Sequence, residues 1–149
     1  GYNVIVTRTF SKLHAFAGLR IGYTMAQPDV IEEMSKFSNG SGNISSPSMA
    51  AAVESYKDKE YHKYAREMND KSKQFLYKTL EDAGYEYIPS DTNFVLFPVR
   101  LDSERFRGEM MKRGVGVRSW SFSNQEWCRV SIGTMQDMEY FAQAFNEIS

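Results

Sequence analysis

One long helical periodicity organises this chain. Tyr61, Tyr64, Met68, Phe75, Leu76 and Leu80 keep helical spacing from about residue 60 to 83, and Gly84 then stops the pattern. The other side of that helix is dense in Lys and Glu, which reads as a solvated face. Before it lies a strand–loop–strand pattern followed by short helices. After it, strands alternate with helices. The chain therefore divides into residues 1–57, the tail of an α/β layer, and residues 58–149, a compact α+β unit with its own core.

Val4 to Thr7 is a strand candidate, and residues 8–17 form a loop. Leu19, Ile21 and Tyr23 alternate with Arg20, Gly22 and Thr24, the period of a second strand. Pro28 opens a helix with Val30, Ile31, Met34 and Phe37 on one face. The stretch from Ser38 to Ser46 is loop, and Ser46-Pro47 starts the next helix with Ser46 as its cap. That helix shows Met49, Ala52, Val53 and Tyr56 on one face. Beyond Gly84, Phe94 to Phe97 is a strand ended by Pro98. Asp102 or Ser103 caps a helix carrying Phe106, Met110 and Met111, which Gly114 ends. Val115 and Val117 make a brief strand, and Cys128, Val130 and Ile132 alternate as a half-buried one. Thr134 to Asp137 is a capping signal for a last helix with Met138, Phe141, Ala142, Phe145 and Ile148 on one stripe.

Bulk properties exclude several classes. A chain of 149 residues with 42% hydrophobic and 25% charged content is of the globular type. A net charge of −1 gives no reason to expect nucleic acid or an anionic membrane as partner. No apolar run approaches the ~20 residues that cross a bilayer, and no signal peptide is visible at the start. The single Cys128 excludes an intrachain disulfide framework, suits a reducing cytoplasm, and reads as a small buried hydrophobe. With two histidines and one cysteine no zinc site is expected. The chain opens on Gly1-Tyr2-Asn3 and enters a strand pattern at once, so we expect it to be part of something larger.

Chemistry concentrates around Lys12. In Thr9-Phe10-Ser11-Lys12, followed by Ala17-Gly18-Leu19-Arg20-Ile21-Gly22-Tyr23, one amine, two hydroxyls and one guanidinium fall on a loop between two strands. Such a set suits a phosphate-bearing aldehyde: Lys12 for the carbonyl, and Thr9, Ser11 and Arg20 for the phosphate. Arg20 is also a cation able to lower the Lys12 pKa. Gly18 and Gly22 allow close backbone approach or simply a tight turn. His14, two residues after the lysine, reads as a packing or exposed histidine, with tuning of the loop as the alternative. His62, amid charged residues, reads as solvated.

The Lys12-to-Arg20 segment resembles the cofactor-lysine motif of fold-type I pyridoxal-phosphate enzymes. The likeness covers the whole chain in order, including Ser46-Pro47-Ser48-Met49-Ala50, Thr92-Asn93-Phe94, Arg118 and Arg129. Within that group it points to the histidinol-phosphate aminotransferase family. The resemblance implies the C-terminal part of the large-domain sheet of a pyridoxal-phosphate-dependent transferase, plus a small α+β domain. It implies pyridoxal 5′-phosphate as cofactor, with Lys12 attaching it and moving the substrate proton, and with Thr9, Ser11 and Arg20 on its phosphate. Arg129, in Arg129-Val130-Ser131-Ile132-Gly133-Thr134, takes the substrate anion, assisted by Arg118 and with Asn93 close by. An edge-strand Arg129, an ion-paired Arg118 and a turn-capping Asn93 are the structural alternatives. His14 departs from the family, which more often has an aromatic such as Tyr there.

The implied function is transfer of an amino group from a small amino donor, of histidinol-phosphate or aromatic type, to a 2-oxo acid such as 2-oxoglutarate. The implied setting is a cytoplasmic homodimer whose interface includes the segment from Asn43 to Ala52. The family also places an Asp, an aromatic ring, a Tyr and an Asn on the cofactor upstream of the lysine. Eleven residues cannot hold them, so the isolated chain is expected to have little or no aminotransferase activity. A decarboxylase of the phosphothreonine type and a non-catalytic packing unit are the rival readings.

Overall fold

The computed structural model describes residues 2–149, leaving aside the side chains at positions 40 and 41. The chain forms two compact units that divide between Ala65 and Arg66, and each is described by itself.

The first unit is built on an antiparallel pair, β1 (Val6–Thr9) and β2 (Gly22–Met25), in the register Val6↔Met25 to Thr9↔Gly22. β1 lies two residues later than the sequence pattern places it. β2 starts at Gly22 rather than at Leu19. A 3-10 turn at Ala17–Leu19 occupies the expected strand start, and Arg20 takes a left-handed conformation at φ 50°. Alternation of side chains cannot reveal that reversal, because a left-handed residue breaks the period that alternation measures.

Gly22 is a packing requirement. A β-carbon there would stand 2.6 Å from the Arg8 carbonyl oxygen across the pair. Gly22→Ala should therefore push the strands apart and destabilise this unit by about 1–3 kcal/mol. A denaturation midpoint equal to that of the parent would contradict this.

α1 (Pro28–Ser35) follows, with Pro28 at its start. It buries no residue, and Phe37, expected on its inner face, lies past its end and is 91% exposed. α2 (Ser46–Lys57) is capped by Ser45, one residue before the expected Ser46; the Ser45 hydroxyl accepts the Ser48 amide. On its expected apolar face only Ala52 is buried, while Met49, Val53 and Tyr56 stay exposed. Met49, Ala52 and Tyr56 line an apolar groove of about 360 Å³ together with Phe10 and Tyr23.

α3 (Lys59–Asp82) is the long helix. Asp58 closes α2 and opens α3: its amide donates to Glu54 and Ser55, and its carboxylate accepts the Tyr61 amide at 2.9 Å. Gly84, at φ 69°, ends α3, with the Tyr85 amide reaching back to the Leu80 carbonyl.

The second unit holds β3 (Phe94–Pro98), α4 (Ser103–Lys112), β4 (Arg118–Phe122), β5 (Gln125–Ser131) and α5 (Met135–Asn146). Its sheet is antiparallel in the order β3-β5-β4. Val95 and Phe97 of β3 and Cys128 and Val130 of β5 are buried with Leu76, Leu80, Phe106, Met110, Phe141 and Phe145. The Phe97 ring sits 5.8 Å from Phe145 and 6.3 Å from Phe106, both edge-on. Burying each such ring stabilises the fold by about 1.5–3 kcal/mol.

Val115 and Val117 are not a strand; β4 begins at Arg118 and turns into β5 through Ser123 and Asn124, both at positive φ. Asp102 caps α4, and Met111 is exposed rather than inward-facing. Thr134 and Asp137 form the expected capping box of α5. Among the described residues no helix is long and apolar enough to cross a membrane.

Candidate active site

The lysine loop is anchored from below. Phe10 is buried; its amide donates to the Ile21 carbonyl at 3.2 Å, and its carbonyl accepts the Phe16 amide at 2.9 Å. Around the buried Phe10, Thr9 and Lys12 are exposed and Ser11 is half-buried. The Thr9 hydroxyl donates to the Ser11 hydroxyl at 2.9 Å and accepts the Ser11 amide at 3.0 Å. The Ser11 hydroxyl proton thus remains for another acceptor. The Lys12 carbonyl accepts the Ala15 amide at 2.9 Å, closing a tight turn. Ala15 and Arg20 both hold positive φ without being glycine. Such backbone costs energy and recurs where a loop must present particular groups. Arg20 Nη1 donates to the Ala17 carbonyl at 2.8 Å, while the rest of its guanidinium faces out. Gly22 is where the backbone approach is close, against Arg8; Gly18 has open space around it.

In the second unit the sheet sets two arginines side by side. Arg118 on β4 is directly opposite Arg129 on β5, and Leu96 on β3 flanks Arg129 from the other side. Residues opposite one another share a face, so both guanidinium groups leave the sheet on the side away from Cys128 and Val130. Like charges directly opposite repel. The Arg129 guanidinium also lies 5.2 Å over the Phe94 ring. Arg129 Nε is a buried donor that meets no acceptor among the described residues. Two facing cations and an unsatisfied donor are a poor arrangement for stability and a good one for an anion. Asn93 extends the sheet by accepting the Ile132 amide on its carbonyl at 2.8 Å. The turn before it is capped by the Ser90 and Thr92 hydroxyls, not by Asn93.

The family model for aminotransferase class I and II matches residues 1–145. The chain belongs to that family. Over 147 residues it is 35% identical to the histidinol-phosphate aminotransferase of Moorella thermoacetica, covering 98% of this chain and 38% of that protein. A crystal structure from Erwinia carotovora atroseptica superposes with a TM-score of 0.89 at 37% identity, covering 96% of this chain and 41% of that one. The histidinol-phosphate aminotransferase of Sinorhizobium meliloti, solved with pyridoxal-5′-phosphate, gives a TM-score of 0.84 at 28% identity, covering 98% and 42%. The chain thus spans about two fifths of the length of the relatives it matches.

Within this aminotransferase-family chain, His14 packs as its sequence reading has it, and His62 differs from its own. His62 is buried, not solvated: its Nε2 donates to the Ser55 carbonyl at 2.8 Å. His14 Nδ1 is 2.8 Å from the hydroxyl of the same serine. The two rings meet edge-on at 4.8 Å, and His14 also rests on Phe10 at 4.4 Å. Burial holds the His14 pKa below the usual histidine value, and the nearby charges of His62 and Lys59 add to this. One signal was available in the sequence. Ser55 and His62 are seven residues apart, two helical turns, and so share a face if α2 and α3 run on across Asp58. Cys128 is fully buried, and burial alone pushes its thiol up to about 12.

Proposed function

We propose that this chain carries the lysine and arginine sites of a pyridoxal-phosphate-dependent aminotransferase. Its amino donor is histidinol phosphate or an aromatic amine of similar shape, and its acceptor is a 2-oxo acid such as 2-oxoglutarate. The observation that supports the reading is one loop that carries the Thr9–Ser11 hydroxyl pair, an exposed Lys12 and Arg20 in succession. The donor set fits the cofactor: two adjacent hydroxyls and an outward guanidinium for a dianionic phosphate, and an exposed primary amine for an aldehyde.

When bound, pyridoxal phosphate supplies the aldehyde and a ring that accepts electrons from the substrate Cα. The chain's residues supply the rest. Lys12 would hold the cofactor through its amine and would move the proton at the substrate Cα. Thr9, Ser11 and Arg20 would hold the phosphate, Ser11 with the hydroxyl proton that Thr9 leaves free and Arg20 with a fork. Arg129, with Arg118, holds the phosphate or carboxylate of the substrate; Asn93 belongs with this set. Residues 1–57 are read as the tail of the large cofactor domain and 58–149 as the small domain. A cytoplasmic homodimer with the segment from Asn43 to Ala52 at its interface completes the reading.

The test is spectroscopic. The purified chain is mixed with pyridoxal phosphate, reduced with borohydride and digested for peptide mapping. Absorbance near ~410–430 nm, a property of the cofactor's own chemistry, with the label on Lys12 is the expected result. Label scattered over the surface lysines contradicts it. Product analysis of the longer protein, keto acid against carbon dioxide, separates the aminotransferase from a decarboxylase.

A further inference from the structure

We propose that His14 is a positioning residue for Lys12, fixing the lysine turn to α2 through a hydrogen bond to Ser55 that His62 completes. Its relevance to catalysis rests on the reading of Lys12 given above; the contact itself does not. The turn that carries Lys12 has two ends. One is fixed by Phe10, buried and hydrogen-bonded on both its amide and its carbonyl. The other is fixed by His14, whose ring lies between Phe10 and His62 and reaches the Ser55 hydroxyl at 2.8 Å. Between these anchors the Lys12 backbone is held while its side chain stays exposed.

His62 gives the arrangement direction. A carbonyl only accepts, so His62 Nε2 carries the proton that it donates to Ser55. Ser55 sits in the last turn of α2, and its carbonyl, which accepts the Asp58 amide at 3.3 Å, takes the His62 proton as a second bond. His62 therefore ties the end of α2 to α3 and steadies the serine that receives His14. Phenylalanine or tyrosine at position 14 would keep the contact with Phe10 but could not reproduce the imidazole Nδ1 contact with Ser55.

The contact is also sensitive to pH. His62, Lys59 and Tyr61 face His14 from α3, and Glu54, Lys57 and Asp58 face it from the end of α2. The neutral ring is favoured in place, since burial and then the neighbouring cations oppose its protonation. A histidine whose pKa is lowered in the ordered state takes its proton more readily once released. The staple is therefore fully present above the ordinary value of about 6.5 and is lost as pH falls through the lowered value.

Amide hydrogen exchange reads the turn directly. The Ala15 amide is bonded to the Lys12 carbonyl, and the Phe10 amide, bonded to Ile21, serves as internal reference. Ser55→Ala and His14→Phe should each lower Ala15 protection relative to Phe10 by about fivefold, the worth of one ordinary hydrogen bond. Ser55→Thr, which keeps the hydroxyl, should restore it. The parent ratio should fall between about pH 8 and about pH 5.5, and His14→Phe should remove that dependence. An unchanged ratio in both Ser55→Ala and His14→Phe, or a pH-independent parent, overturns the proposal. If Ser55→Ala loosens both amides together, His14→Phe decides, because it leaves α2 intact. Borohydride trapping on the same samples should show Ser55→Ala losing selectivity for Lys12 by about the same factor. Failure of trapping in the parent would sink the lysine reading instead, with the exchange ratio still deciding the staple.

Discussion

Lys12→Ala should abolish site-specific trapping of pyridoxal phosphate on this chain. In a protein that carries this segment within the full length of its relatives, it should lower the proposed amino transfer by about a thousandfold or more. The amine has two tasks in the proposed reaction, and alanine removes both: attachment of the cofactor and movement of the Cα proton, the second alone worth about 10²–10⁴-fold. Lys12→Arg separates charge from chemistry. It keeps a cation in the loop yet offers no neutral amine, so it should fail in the same way. Lys36 and Lys57, exposed in the same unit and paired with Glu33 and Glu54, provide the control for non-specific labelling. If Lys12→Ala retained the trapped label at parent levels, attachment would lie elsewhere and the reading of the loop would fall.

That Ser11 and Lys12 fall on a loop between two paired strands was legible in sequence because its information is local. The proposed roles of Thr9, Ser11, Lys12 and Arg20 rest on residue type within twelve residues of chain. The core of the second unit was legible for a similar reason: Met138, Phe141 and Phe145 recur at helical spacing and are all buried. What escaped were features set by backbone sign or by tertiary contact. Arg20 was placed on a strand because alternation cannot show a positive φ. The strand expected at Val115 and Val117 lies one step later, where the Ser123–Asn124 turn fixes the register of β4 against β5. His62 read as solvated because its sequence neighbours are charged; it is buried because of where the junction at Asp58 sends it. Phe37 and Met111 had the right spacing but no surface to cover. Periodicity reports which residues share a face, not whether anything packs on that face.

Arg129→Met should separate stability from binding in the second unit. As it stands, Arg129 is paired with Arg118 in the β4–β5 register, and its Nε is buried without an acceptor among the described residues. Both features oppose folding when no anion is present. Methionine keeps reach and packing against Phe94 while removing the charge and the unsatisfied donor. The thermal midpoint of the free chain should therefore stay level or rise. A phosphate monoester, or histidinol phosphate itself, should raise the midpoint of the parent by relieving the repulsion. In Arg129→Met that gain should vanish, with affinity reduced by about 30–150-fold, the equivalent of about 2–3 kcal/mol for a charge-assisted bidentate contact. Arg118→Gln, at the more exposed position, should weaken the ligand less while also easing the repulsion. Melting curves of the three proteins with and without the ester measure both effects. A variant destabilised when free, yet stabilised by the ester as strongly as the parent, would make Arg129 a structural residue. If Arg129 holds a ligand, the free fold should carry a cost for it, and two like charges in register and a buried Nε without an acceptor among the described residues are where that cost would lie.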